Sequence, residues 1–193
     1  MNATREHFGF PPLDPALIYS YVGNGASVLV RRAFGPDAPD TLIAEALQFF
    51  LKFYRAHALE HTELYPGIRE AVEELARSDH KLAVLTNKPT RISFDIIAAL
   101  RLGDYFVRVY GGDSFPRKKP DPSAIYKLLE ETQLRARETW MIGDSGVDVQ
   151  TARNAGIRCC GVAWGFQPEA FTSDPPDAIV NTPGELPALL RHS

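Results

Sequence analysis

From Tyr65 onward the chain repeats one pattern, a short apolar run followed by an amphipathic stretch with helical spacing. The apolar runs are Lys81–Leu85, Phe106–Tyr110, Thr139–Ile142, Arg158–Ala163 and Ala178–Val180. Between and after them lie the predicted helices Arg69–Arg77, Ser93–Leu100, Ser123–Glu131, Val147–Gly156 and Pro183–Leu190. Strands alternating with helices in this way predict an α/β fold with a parallel sheet and helices on both faces. In such sheets ligands gather beyond the carboxyl ends of the strands, so the polar residues that follow each strand are the ones to weigh.

The first third reads differently. Asp14 stands as an N-cap before Pro15 and a short helix to Val22, and Gly23-Asn24-Gly25 then breaks the chain. Helical spacing resumes over Ala26–Phe34 and again over Thr41–Ala58, where Leu42, Ile43, Ala46, Leu47, Phe50, Phe53 and Tyr54 share one side. No strand candidate interrupts this part. The expected organisation is a helical unit over residues 1–63 and an α/β core over 64–193.

Bulk properties narrow the function. With 193 residues, 45% hydrophobic and 23% charged, the chain has enough apolar material for a core and does not read as disordered. A net charge of −3 and only short basic runs, Arg31-Arg32 and Arg117-Lys118-Lys119, give no basis for nucleic-acid binding. The adjacent Cys159 and Cys160 predict two packed thiols in a reducing compartment. His57 and His61 are four apart on a predicted helix, but without further ligands they read as a solvated pair. The polar N-terminal residues lack a signal-peptide core and no run is long enough to span a bilayer, so the expected location is the cytoplasm.

Three strand ends carry possible chemistry. Thr86 and Asn87 follow the first strand and could hold phosphate oxygens, although both are also ordinary turn residues. Lys119 precedes Pro120-Asp121-Pro122 in a stiffened loop, where it could offset charge on a phosphoryl group or simply be a solvated basic turn. Gly143-Asp144-Ser145-Gly146-Val147-Asp148 turns a strand into a helix. Gly143 permits close backbone approach, and two carboxylates suit a hard cation such as Mg²⁺. Capping by Asp144 or Ser145 is the alternative, and a second carboxylate at Asp148 is more than capping requires.

Thr-Asn, then Lys-Pro-x-Pro, then Gly-Asp-x-x-x-Asp, in this order of strands, resembles the haloacid dehalogenase superfamily, most closely its phosphoglycolate phosphatase branch. Val22-Gly23-Asn24-Gly25 with Arg31-Arg32-Ala33-Phe34 is similar to the cap of that branch. The resemblance implies a Rossmannoid core with a helical cap, and Mg²⁺-dependent hydrolysis of a small phosphorylated metabolite, 2-phosphoglycolate first among them. It also implies roles. Thr86 would bind the phosphoryl oxygens with help from Asn87, Lys119 would neutralise charge, Asp144 would ligate Mg²⁺, and Asp148 would ligate or support that site. Residues near Gly23–Gly25 would close over the substrate and help choose it.

One part of the family pattern is absent. The resemblance implies a first strand ending in Asp-x-Asp, whose leading aspartate attacks phosphorus. No Asp-x-Asp occurs in this sequence, and Met1–Phe10 resembles the end of the first cap helix. A covalent aspartyl-phosphate route cannot run without that carboxylate. The expectation is therefore that Met1 is an internal methionine of a longer phosphatase, through a misplaced start, a truncated gene or a shortened chain, and that the chain as it stands is inactive. Translating the DNA ahead of the first codon tests this. In the family the absent strand is central, between those ending at Thr86 and Ile142, so the sheet must close up, accept another segment or remain partly open. Alternatives are a phosphomutase or pyrophosphatase of the same superfamily, or a non-catalytic remnant that binds phosphate or a partner. Dehalogenation is the least favoured. Oligomeric state is not legible.

Overall fold

The computed structural model of the protein describes residues 1–191. Four helices come first: α1 (Asn2–His7), α2 (Pro15–Ser20), α3 (Ala26–Phe34) and α4 (Asp40–His57). Asp14 does cap α2, its Oδ1 accepting the Ala16 N–H at 2.7 Å. The breaker Gly23-Asn24-Gly25 lies in the turn before α3. Helix α4 buries Ile43, Ala46 and Phe50, spaced three and four apart as a single face requires. They join Val30, Ala33 and Phe34 of α3 in one apolar cluster, with Phe8 and Phe10 packed against it. Arg5 is buried at this junction, where its guanidinium donates to the carbonyls of Pro11 (2.7 Å) and Ala33. It lies 5.5 Å from the Phe10 ring centroid and 5.7 Å from that of Phe34, so backbone acceptors and π faces substitute for a counter-ion.

The α/β region follows the predicted order. Its elements are α5 (Ile68–Arg77), β1 (Leu82–Leu85), α6 (Thr90–Ala99), β2 (Phe106–Tyr110), α7 (Ser123–Thr132), β3 (Trp140–Gly143), α8 (Gly146–Ala155), β4 (Arg158–Val162), β5 (Ala178–Val180) and α9 (Leu186–Leu190). Short 3₁₀ turns at Gly103–Tyr105, Ala136–Glu138, Pro168–Thr172 and Pro183–Glu185 were not legible from periodicity. The last of them replaces the start of the predicted terminal helix.

All recorded strand pairs are parallel, as expected, but they form two sheets. One is β1-β2 (Leu82↔Phe106, Leu85↔Tyr110) and the other β3-β4-β5 (Ile142↔Cys160, Cys160↔Ala178). Among the three outcomes open to the sequence, the sheet remains divided. The facing edges of β1 and β3 bound an apolar slot of about 480 Å³, walled by Ala83 and Leu85, Met141 and Ile142, Leu75 of α5 and Leu129 of α7. Strands of a parallel sheet are normally covered on both faces. Here Ala83 is exposed and Ile142 keeps 36% of its surface in solvent.

Cys159 and Cys160 show why neighbours on a strand do not pair: they point to opposite faces of β4. Cys159 packs with Ile125, Met141 and Val149, whereas Cys160 packs with Val162, Val180 and Leu186. Burial pushes the Cys159 thiol up to about 12 and the Cys160 thiol up to about 11, from 9.0. A pKa raised in the folded state contributes stability that is present below the unfolded value and is lost as pH rises from there toward the folded value. Stability is therefore expected to fall as pH rises above about 9, and Cys159→Ser is expected to flatten that fall. Iodoacetamide at pH 8 is expected to label neither thiol in the native protein and both in denaturant. Rapid native labelling would contradict this.

Candidate functional site

Lys119 and Asp148 meet between the carboxyl ends of β1 and β3, with Thr86, Asn87 and Asp144 on the adjoining turns. Thr86 leaves β1, and its Oγ1 accepts the Lys88 N–H at 3.1 Å, which tightens the turn. Asp144 leaves β3, and Asp148 lies in the first turn of α8. Lys119, in the loop between β2 and α7, reaches into the gap between them. Its Nζ donates to the Leu85 carbonyl (3.0 Å), one residue before Thr86, and to Asp148 Oδ1 (2.7 Å). Both side chains are largely buried, 11% exposed for Lys119 and 6% for Asp148. One ammonium thus ties the end of β1 to the start of α8.

Asp148 is more heavily engaged than its place in the sequence suggests. Its Oδ2 accepts the Asp144 and Ser145 N–H groups, each at 3.2 Å, and the Ser145 hydroxyl at 2.7 Å. This is the carboxylate of a capping box, so capping falls to Ser145 and Asp148 and not to Asp144. Gly143 makes room for it, because a Cβ there would overlap the Asp148 carboxylate. Asp144 is the freer group. It is half-buried, and its Oδ2 accepts the Phe166 N–H at 3.0 Å. No hydrogen bond to its Oδ1 is recorded among the described residues.

Asn87 is likewise occupied. Its Oδ1 accepts the Lys119 N–H (2.9 Å), and its Nδ2 donates to the carbonyls of Lys119 (3.1 Å) and Gly23 (2.9 Å). The Asn87 side chain, expected to assist phosphate binding, clamps the Lys119 backbone and the Gly23 loop together.

A cavity of about 270 Å³ opens beside Lys119, Asp144 and Asp148, with Tyr65 and Trp164 also in its lining. Thr86 and Asn87 do not line it. Trp164, together with Phe166, which bonds Asp144, follows β4 and went unrecognised in the sequence. As aromatic residues they carry no polar signal of the kind that marks the other strand ends. Gln167 Nε2 lies 3.5 Å from the Val22 carbonyl, so this loop also touches the helical third.

No cluster of three or more His, Cys, Asp or Glu suited to a metal occurs among the described residues, and His57 pairs with Glu60 at 2.6 Å. Mg²⁺ does not need such a cluster, since it uses one or two carboxylates, waters and substrate phosphates. The unengaged oxygen of Asp144 at the cavity fits that requirement.

The family model for haloacid dehalogenase-like hydrolases matches residues 1–162. The chain belongs to the haloacid dehalogenase-like hydrolases. Among similar members, the phosphoglycolate phosphatase of Vibrio vulnificus (strain CMCP6) is 38% identical over 194 residues, covering 96% of this chain and 84% of that protein. The phosphoglycolate phosphatase of Chromobacterium violaceum is 36% identical over 195 residues, covering 99% and 87% respectively. The crystal structure of a predicted phosphoglycolate phosphatase from Haemophilus somnus 129PT superposes with a TM-score of 0.89 at 26% identity, over 97% of this chain and 87% of that one. The haloacid dehalogenase-like fold expected from the order of the motifs is therefore the fold of this hydrolase. In this member of the family no helix among the described residues is long and apolar enough to cross a membrane.

Proposed function

We propose that the protein is a phosphatase for a small phosphate monoester, with 2-phosphoglycolate the best-supported substrate and Mg²⁺ its metal. The observation that carries this reading is Lys119, a largely buried lysine joining the end of β1 to Asp148 at the edge of a cavity that also holds Asp144. The names of the similar phosphoglycolate phosphatases supply the substrate.

Each residue has a task that follows from its bonds. Lys119 offsets negative charge on the phosphoryl group, and Asp148 with the Leu85 carbonyl holds its ammonium in place. The Thr86 hydroxyl accepts from Lys88 N–H and keeps its own proton to donate to a phosphoryl oxygen. Asp144 would hold Mg²⁺, which when bound adds positive charge against the phosphate. Asn87 fixes the Lys119 loop against Gly23, and we assign residues 1–63 as a cap that covers the substrate from that side.

The attacking carboxylate is the remaining requirement. We place it on an apolar strand ending in Asp-x-Asp that enters the slot between β1 and β3, so that its end arrives beside Lys119. In-line attack from there would give an aspartyl-phosphate that water hydrolyses, with catalysis resting on positioning and charge neutralisation. This chain alone is expected to turn over slowly or not at all. Without that strand, the same geometry supports a second reading, a phosphate-binding protein that does no chemistry.

Calorimetry with inorganic phosphate in the presence of Mg²⁺ tests the site independently of turnover. Lys119→Ala is expected to weaken phosphate binding about 10–100-fold, the usual effect of losing a charged hydrogen bond. Unchanged affinity in that variant, or no binding by the unmodified protein, would overturn the assignment. Release of phosphate from a panel of esters separates the enzyme from the binding protein, which would show Mg²⁺-dependent thermal stabilisation without turnover.

A further inference from the structure

Three lysines stand on the loops after β1 and β2, and their surroundings differ. Lys119 is held by Asp148 and the Leu85 carbonyl. Lys88 donates to the Tyr54 hydroxyl and lies 5.0 Å from that ring's centroid. Lys118 has only a long contact to the Ser27 hydroxyl, 3.4 Å from its Nζ, and no ion pair is recorded for it among the described residues. Asp113 is held below the usual carboxylate range first by the Thr90 hydroxyl and last by the Lys118 charge, and its carboxylate is already engaged by the N–H and hydroxyl of Thr90. Lys118 is thus a half-buried cation that forms no ion pair among the described residues.

Its place is nevertheless well defined. Asn87 locks the adjoining Lys119 backbone to the Gly23 carbonyl, so the Lys118 side chain emerges beside the Gly23 turn. Gly25, at φ +88°, leaves room for it. A Cβ at that position would lie 2.9 Å from the Lys118 ammonium and would displace it. The two successive lysines therefore diverge, one into the phosphate cavity and the other toward the turn that would cover the substrate.

We propose that Lys118 determines specificity, by pairing with a second anionic group of the substrate, a carboxylate a bond or two from the phosphate. This rests on the phosphatase reading and sharpens it to phosphorylated small acids. A site that charge-pairs one end of a substrate discriminates against an analogue lacking that end, because its own cation is then left without a partner. The lysine stem is long enough to let the ammonium leave Ser27 for the ligand.

The test compares 2-phosphoglycolate with ethyl phosphate, which lacks the carboxylate, by calorimetry on the whole chain with Mg²⁺. The unmodified protein is expected to prefer 2-phosphoglycolate about 10–100-fold. Lys118→Gln is expected to shrink that ratio to below about threefold, and Lys118→Arg to retain most of it. A ratio that survives Lys118→Gln overturns the proposal, including the case in which both ligands weaken equally, because Lys118 would then only brace the turn. Equal binding of the two ligands by the unmodified protein also overturns it while leaving the phosphatase reading intact. Failure of both ligands to bind defeats that reading, and this proposal with it.

Discussion

Lys119→Ala is expected to lower folding stability by about 3–5 kcal/mol, the range seen when one partner of a buried ion pair is removed. The reason is the carboxylate left behind. Asp148 is 6% exposed and would face the vacated space as a bare charge. Its bonds from Ser145 and the Asp144 N–H persist, which places the effect toward the lower end of the range. The Leu85 carbonyl also loses a donor. Lys119→Met combined with Asp148→Asn removes both charges and is expected to be less damaging than Lys119→Ala alone. Urea unfolding of the three proteins decides the matter. A loss below about 1 kcal/mol for Lys119→Ala would mean that the pair behaves as a solvated surface bridge.

Filling the slot is expected to have a larger effect on function than any single substitution. A synthetic apolar strand of typical length, about six residues, ending in Asp-x-Asp should pair with the facing edges of β1 and β3 and cover Ala83 and Ile142. At about 100 times its dissociation constant it would stabilise the fold by about 2.7 kcal/mol, read as a rise in Tm. Amides on both edges should become protected from hydrogen exchange. With Mg²⁺ present, phosphate release from 2-phosphoglycolate should appear. A peptide with Asn in place of the leading Asp should stabilise equally and give no turnover, which separates strand pairing from chemistry. Saturating peptide that changes neither Tm nor exchange would remove the slot from the mechanism.

Most of the fold was legible because its signals are local. The helix over Ala26–Phe34 and the strands Phe106–Tyr110 and Ala178–Val180 match the expected ranges, since periodicity and breakers act within a few residues. The site was legible only as a set of strand-end residues. Which carboxylate caps and which remains free could not be read, because Asp144 and Asp148 are equivalent until the turn folds and directs the Ser145 and Asp144 amides at one of them. The role of Asn87 was hidden for a similar reason. Its partners, Gly23 and Lys119, are 64 and 32 residues away.

Residue order alone determined the alternation of strands and helices, the helical first third, and the polar residues at the strand ends. Those depend on side-chain period, capping and turn chemistry, which neighbouring residues settle among themselves. Only the tertiary structure decided that the strands divide into two sheets with an apolar slot between them, that Lys119 bridges β1 to α8, and that Lys118 turns away from it toward Ser27. Those outcomes depend on how distant segments pack, and on which buried polar groups each leaves for the others to satisfy.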